Sequence, residues 1–198
     1  MKFKVAVMFI TVLAFLIGAG FLPSTSYAAN SKSLGVKNYS QEKSNWCWAT
    51  AAQIVSRYIG DGYHYQCTFV KKGKETSSCA NTAGGFYGDM TKALRFGKVG
   101  TGIVGTNLVA YTTIRNEIDG GSPILVRAGW KSSNLNSGHM LIVYGYEVTS
   151  GGTKNVRFVY PNQSANDDDY TSSKRKYSWA KLKENSDWKI THSRYQME

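Results

Sequence analysis

Histidine is scarce in this chain. Its 198 residues hold three, His64, His139 and His192, at irregular spacings, and the three cysteines form no CxxC pair. That leaves no ligand framework of the kind that holds zinc, and no metal or other cofactor is expected. No glycine-rich loop leads into a helix, so a phosphate cradle is missing too. Acidic residues are few, 13 Asp+Glu against 24 Lys+Arg. The basic residues are scattered, with Lys71, Lys72 and Lys74 as their tightest group, and no nucleic-acid-binding motif accompanies them. Nucleic acid is therefore not an expected partner. There are no internal repeats, and only residues 164–176 hint at low complexity.

The one long apolar run lies at the start. Lys2 and Lys4 precede an almost wholly apolar stretch at 5–22, and Pro23, Ser24, Thr25 and the triplet Ser26-Tyr27-Ala28 follow it. Charge, apolar run and small-residue site come in the order of a secretory signal peptide, expected to span 1–28. A membrane anchor fits less well, because the run is near the lower limit for spanning and the small-residue site follows directly. The expected location is extracellular. Residues 29–198 are enough for a single domain with a real core. Without Lys2 and Lys4 that domain carries 22 Lys+Arg against 13 Asp+Glu, a formal charge of +9. Such a charge draws a protein towards anionic cell-surface or wall polymers, and a plainly solvated surface accounts for it better. The expected state is a monomer.

Three cysteines are an odd number for an oxidising compartment, which suggests one disulfide and one free thiol. Cys67 and Cys79 flank a polar stretch, CTFVKKGKETSSC, where a bridge would close a short surface loop. Cys47 sits elsewhere, between Trp46 and Trp48, and apolar residues follow at spacings of three and four: Trp48, Ala51, Ala52, Val55, Tyr58 and Ile59. That spacing predicts one apolar face of a helix. Gly60 and the Asp61-Gly62 pair stop it, and Ser44-Asn45 are placed to cap its start. Cys47 then falls in the first turn, where unpaired N–H groups and the helix dipole favour a thiolate. A structural cysteine packed by two tryptophans fits the same residues. A nucleophilic cysteine needs a base. His139, in SGHMLIVYGYE, follows a Ser-Gly turn at the head of a strand-like run, and Gly145 bulges or ends that strand. His64 and His192 read as exposed or half-packed histidines.

The segment QEKSNWCWATAAQIV resembles the nucleophile segment of papain-like cysteine peptidases, closest to the compact bacterial C39-like and AvrRpt2-type (C70-like) peptidases. The matching residues are Gln41, six positions before the cysteine, and Asn45-Trp46-Cys47-Trp48-Ala49. Gly138-His139 with the apolar strand and Gly145-Tyr146 is a second match, and Gln66-Cys67 with Cys79 a third. Gly121 to Val126, Tyr177-Ser178-Trp179 and Trp188 agree more weakly. The resemblance covers residues 34–193. It implies that Cys47 attacks a peptide carbonyl, that Gln41 and the Cys47 N–H face the oxyanion, and that His139 is the general base. A thioester acyl-enzyme would form, and water would hydrolyse it. Protein or peptide is then the substrate.

In the C39-like pattern an Asp immediately before a proline, one strand after the histidine, orients the base. Here that place holds Tyr160, before Pro161. Asn162 is the nearest carboxamide and the candidate orienting group, though a Pro-Asn pair also favours a turn for backbone reasons. Asp167 to Asp169 are poorer candidates. This departure leaves two further readings open. One is another thiol acyl-transfer enzyme, a deamidase or a cell-wall amidase or endopeptidase. The other is a non-enzymatic toxin or binding module on a papain-like scaffold.

For the fold, helices are expected at 89–96 and 111–118. Strands are expected at 124–128, 140–144, 156–160 and 188–191, and an irregular segment at 63–88. Helices followed by strands mean an α+β domain. The papain-like fold implied has a helical N-terminal half carrying the nucleophile helix and a C-terminal antiparallel β-sheet half. The polar stretch at 29–37 is too short for a large inhibitory propeptide.

Overall fold

A computed structural model of the chain describes residues 30–162 and 174–198. The expected signal peptide and the Asp167–Asp169 group lie outside the described residues. Within them, a seven-stranded antiparallel sheet and five helices build an α+β domain. The strands are β1 (Asn30–Ser33), β2 (Ile103–Thr106), β3 (Ile124–Trp130), β4 (Gly138–Val148), β5 (Lys154–Val159), β6 (Lys174–Ser178) and β7 (Trp188–Tyr195). The helices are α1 (Cys47–Ile59), α2 (Gln66–Lys74), α3 (Gly88–Phe96), α4 (Tyr111–Asp119) and α5 (Trp179–Lys183). The sheet runs β2-β7-β3-β4-β5-β6, and β1 pairs with the far end of β4. No described helix is long and apolar enough to cross a membrane.

The middle of the sheet explains the apolar runs. Ile124, Leu125 and Val126 of β3 and Leu141, Ile142 and Val143 of β4 are all fully buried, on alternating faces, so these strands are covered on both sides. β4 bulges between Val143 and Gly145, as the glycine suggested. A Cβ at Gly145 would come within 2.9 Å of the Lys32 carbonyl, so the glycine is what lets β1 close on this strand.

Helix α1 starts at Cys47 and stops at Ile59, before Gly60. Its burial exceeds the single face expected: every residue from Trp48 to Ser56 is buried, because α2, α3 and β4 pack around it. Burying Ile54 and Val55 contributes roughly 2 kcal/mol each. The polar residues this encloses are all bonded. Thr50 Oγ1 donates to the Trp46 carbonyl at 3.1 Å, Gln53 Nε2 to the His64 carbonyl at 2.7 Å, and Ser56 Oγ to the Gly97 carbonyl at 3.1 Å.

Several expectations are corrected. The N-cap of α1 is Trp46 and carries no side-chain cap; Ser44 and Asn45 instead bond Asn81. The segment 63–88 is not wholly irregular, since it contains α2. That helix was hidden because only Gln66, Phe69, Val70 and Gly73 of it are buried. Its Gly73 has a packing reason: a Cβ there would sit 2.6 Å from the Trp48 ring. The polar stretch at 29–37 holds β1 and two core residues, Leu34 and Val36. Elements do not fall simply into helices and then strands, since β1 and β2 come early and α5 late. The expected strands were found, most of them longer than the apolar residues alone indicated.

Candidate active site

Cys47 is the free cysteine, and Cys67 and Cys79 are joined by a disulfide. The residues after the bridge hold the nucleophile segment. Four successive carbonyls accept from it: Cys79 from Lys43 Nζ at 2.6 Å, Ala80 from Trp46 Nε1 at 3.0 Å, Asn81 from Asn45 Nδ2 at 3.1 Å, and Thr82 from Trp48 Nε1 at 3.1 Å. The two tryptophans beside Cys47 are therefore pegs on a rail of backbone oxygens. Each is about fully buried, and each meets its need for an acceptor. Gly84 continues the rail against the Trp48 ring, where a Cβ would sit at 2.1 Å.

A second network sets the approach to the helix. Gln66, 2% exposed, donates from Nε2 to the Ser40 carbonyl at 2.6 Å and to Gln53 Oε1 at 3.1 Å. Its Oε1 accepts from the Glu42 N–H at 3.0 Å and from Thr50 Oγ1 at 2.9 Å. The whole capacity of the carboxamide is used. This one side chain ties residues 40–42 to α1 and α2.

Cys47 and His139 line one cavity of about 390 Å³, together with Arg127, Trp130, Asn136 and Gly84. Met140, next to His139 on β4, lines the same cavity as Cys47. Burial pushes the Cys47 thiol above its ordinary range. The N–H groups of Met140, Trp48 and Cys47 itself, with the Arg127 guanidinium, act against that.

His139 is held on two sides. Its Nε2 bonds the Pro161 carbonyl at 2.6 Å. A carbonyl only accepts, so Nε2 carries the proton and Nδ1 keeps a lone pair. The Tyr160 ring stacks on the imidazole with centroids 4.2 Å apart and planes 19° from parallel. The Arg175 guanidinium lies over the Tyr160 ring, 4.1 Å from its centroid. Burial lowers the His139 pKa to about 4, the positive charge of Arg175 acting the same way and the Pro161 carbonyl against it. At neutral pH the site therefore rests as a thiol beside a neutral imidazole.

Gln41 and Asn162 do not line the cavity. They meet each other: the Gln41 N–H donates to the Asn162 carbonyl at 2.9 Å. Gln41 is 5% exposed, its Nε2 donates to the carbonyls of Lys43 and Ser44 at 2.7 Å each, and its Oε1 has no hydrogen-bond partner among the described residues. His64 pairs with Asp61 at 2.8 Å, and His192 packs on Phe86, both away from Cys47. A wider hollow of about 780 Å³, lined by Glu117, Gln196 and Glu198 among others, contains neither Cys47 nor His139. Among the described residues no group of three His, Cys, Asp or Glu is arranged to hold a metal ion.

The family model for the Peptidase_C39 like family matches residues 33–195. The chain belongs to that family. At the level of the family this makes it a peptidase, with protein or peptide as its substrate class. A comparison with curated proteins found no match.

Membership places the departures in context. Tyr160, at the position where the C39-like pattern has an acid, contributes a ring to His139 rather than a carboxylate, and the acceptor on Nε2 is the next residue's backbone carbonyl. Sequence reasoning missed Arg127, Trp130 and the Pro161 carbonyl. Only Arg127 carried a signal, as a lone charge inside the apolar run of β3.

Proposed function

We propose that this is a secreted cysteine peptidase that cleaves peptide bonds through Cys47 and His139. The observation that carries the reading is the shared cavity, with the thiol at the start of α1 and the imidazole at the start of β4. Substrate enters with both groups neutral. His139 Nδ1 takes the thiol proton as the sulfur attacks the carbonyl carbon, and the imidazolium gives that proton to the leaving amine. The thioester acyl-enzyme is then hydrolysed by water activated by the same nitrogen. Helix-start N–H groups, that of Cys47 included, face the developing oxyanion. Gln41 joins them if its carboxamide turns away from the Lys43 and Ser44 carbonyls. The orienting acceptor is the Pro161 carbonyl, with Asn162 acting through its backbone on Gln41. The Cys67–Cys79 disulfide supports an oxidising, extracellular location.

The test is alkylation of Cys47 by iodoacetamide from pH 5 to 9, alone and in His139→Ala, followed by digestion of casein. Alkylation of Cys47 at pH 7 is expected to fall at least tenfold in His139→Ala, which removes the base that takes the thiol proton, and casein is cut by the parent alone. Equal rates in the two proteins would defeat the assignment. Labelling that needs His139 without cleavage of casein or peptides would move the reading to another acyl transfer, such as deamidation.

A further inference from the structure

Arg127 is the one lining residue of the cavity with a full positive charge, and the proposed chemistry uses it only as a charge that favours the Cys47 thiolate. It is half-buried on β3, inside a run of fully buried neighbours. Its Nη1 donates to Thr191 Oγ1 at 2.9 Å, and its Nη2 to the carbonyls of Leu135 and Asn136 at 3.1 and 3.0 Å. All these acceptors are neutral. Among the described residues no carboxylate lies within ion-pair distance of it, and three hydrogen bonds leave two of its five N–H groups unassigned. A half-buried cation without a counter-ion is costly, and a protein that fixes one rigidly has it ready for an anion that arrives.

The loop it holds strengthens the point. Asn134 and Leu135 both have positive φ, 49° and 65°, a conformation that costs a non-glycine residue energy. Arg127 bonds the carbonyl of Leu135 and that of Asn136, whose own residue lines the cavity. The guanidinium is thus a rigid part of the wall. The other lining side chains are small, amide, hydroxyl, thiol, thioether or aromatic, so an incoming negative group meets one fixed charge and no carboxylate.

We infer that Arg127 makes the site selective for substrates with a carboxylate next to the scissile bond. That carboxylate is an Asp or Glu side chain or a free C-terminal carboxylate; the chemistry recognised is the same. The inference rests on Cys47 being the nucleophile, so the test separates the two. Cys47 is alkylated with iodoacetate and with iodoacetamide, which differ in charge at nearly equal size, and glutathione gives the free-thiol ratio of the two rates. Cys47 is expected to favour iodoacetate about tenfold relative to that ratio. Arg127→Gln should return the ratio to that of glutathione, and Arg127→Lys should keep part of the preference. Because the ratio is taken within each protein, a general loss of reactivity does not mimic it. Thr191→Val removes one hydrogen bond but no charge, and should leave the preference in place. A ratio equal to that of glutathione in the parent protein, or one unchanged by Arg127→Gln, overturns the inference. Loss of the His139 dependence instead overturns the nucleophile assignment.

The source of the carboxylate is read from a defined peptide pool, offered as free acids and as C-terminal amides, with cut sites found by mass spectrometry. Cuts beside Asp or Glu in both forms identify the side chain. Cuts that disappear on amidation identify the terminus. Cuts indifferent to both refute the selectivity.

Discussion

The two walls of the cleft are held by different physics. On the nucleophile side, α1 and the segment before it are fixed by saturated hydrogen bonding: four carbonyls from Cys79 to Thr82 and the Gln66 carboxamide. On the histidine side, the imidazole is fixed by one carbonyl and one stacked ring. A buried amide that makes four bonds cannot be removed without costing its partners those bonds, whereas a stacked ring can be trimmed and leaves only space. The first wall therefore carries stability, and the second is where the reaction can be tuned.

The largest effect should come from Gln66→Leu. It leaves the Glu42 N–H, the Ser40 carbonyl and Gln53 Oε1 each without the bond Gln66 makes to it, while the Thr50 hydroxyl keeps the Trp46 carbonyl, at about 1.5 kcal/mol for each of the three, so roughly 4.5 kcal/mol in all. Thermal unfolding should fall by roughly 10 °C. A change of only one or two degrees would show that water replaces the amide and that the two walls do not differ as argued.

Next comes the pH dependence of stability. Folding holds the His139 pKa at about 4, below its ordinary 6.5. Above pH 6.5 both folded and unfolded chains keep it neutral, and the stability is fully present. As pH falls from 6.5 towards 4 the unfolded chain takes up the proton first, and stability declines by up to about 3 kcal/mol. Denaturant titrations at pH 7, 5.5 and 4 should show this loss in the parent and less of it in His139→Gln. Parallel curves would mean that the imidazole is not buried as a neutral base.

The smallest effect is at Tyr160. Removing the ring in Tyr160→Ala should lower kcat/KM about fivefold by letting His139 swing, since an aromatic stack is worth roughly 1 kcal/mol. Tyr160→Phe keeps the ring and should stay within about twofold. Equal losses in the two variants would give the role to the hydroxyl instead.

What the sequence disclosed follows the same division. Helix α1 was legible because Gly60 and the apolar spacing both mark it, and β4 because its apolar run is unbroken. Cys47 and His139 could be paired by residue type. Gln66 could not be recognised as a hub, because its four partners lie between Ser40 and Gln53 and only the fold gathers them. The Pro161 carbonyl has no signature at all, since every residue has one. Tyr160 was read as the loss of an acid; its stacking depends on the turn after β5, which residue identity does not determine. The mistaken cap at Ser44-Asn45 shows the limit of local rules, because Asn81 competes for the same groups.

The rail from Cys79 to Thr82 begins at a sulfur–sulfur bond and ends beside a thiol that, as the proposed nucleophile, must stay reduced. The molecule thus asks for two oxidation states at once. Surroundings oxidising enough to cap Cys47 as a sulfenic acid or mixed disulfide silence the chemistry. Surroundings reducing enough to open Cys67–Cys79 release the end of the strip on which Trp46 and Trp48 hang. The working range of such a protein is a redox window with two edges, one drawn by its nucleophile and the other by the strap that holds it.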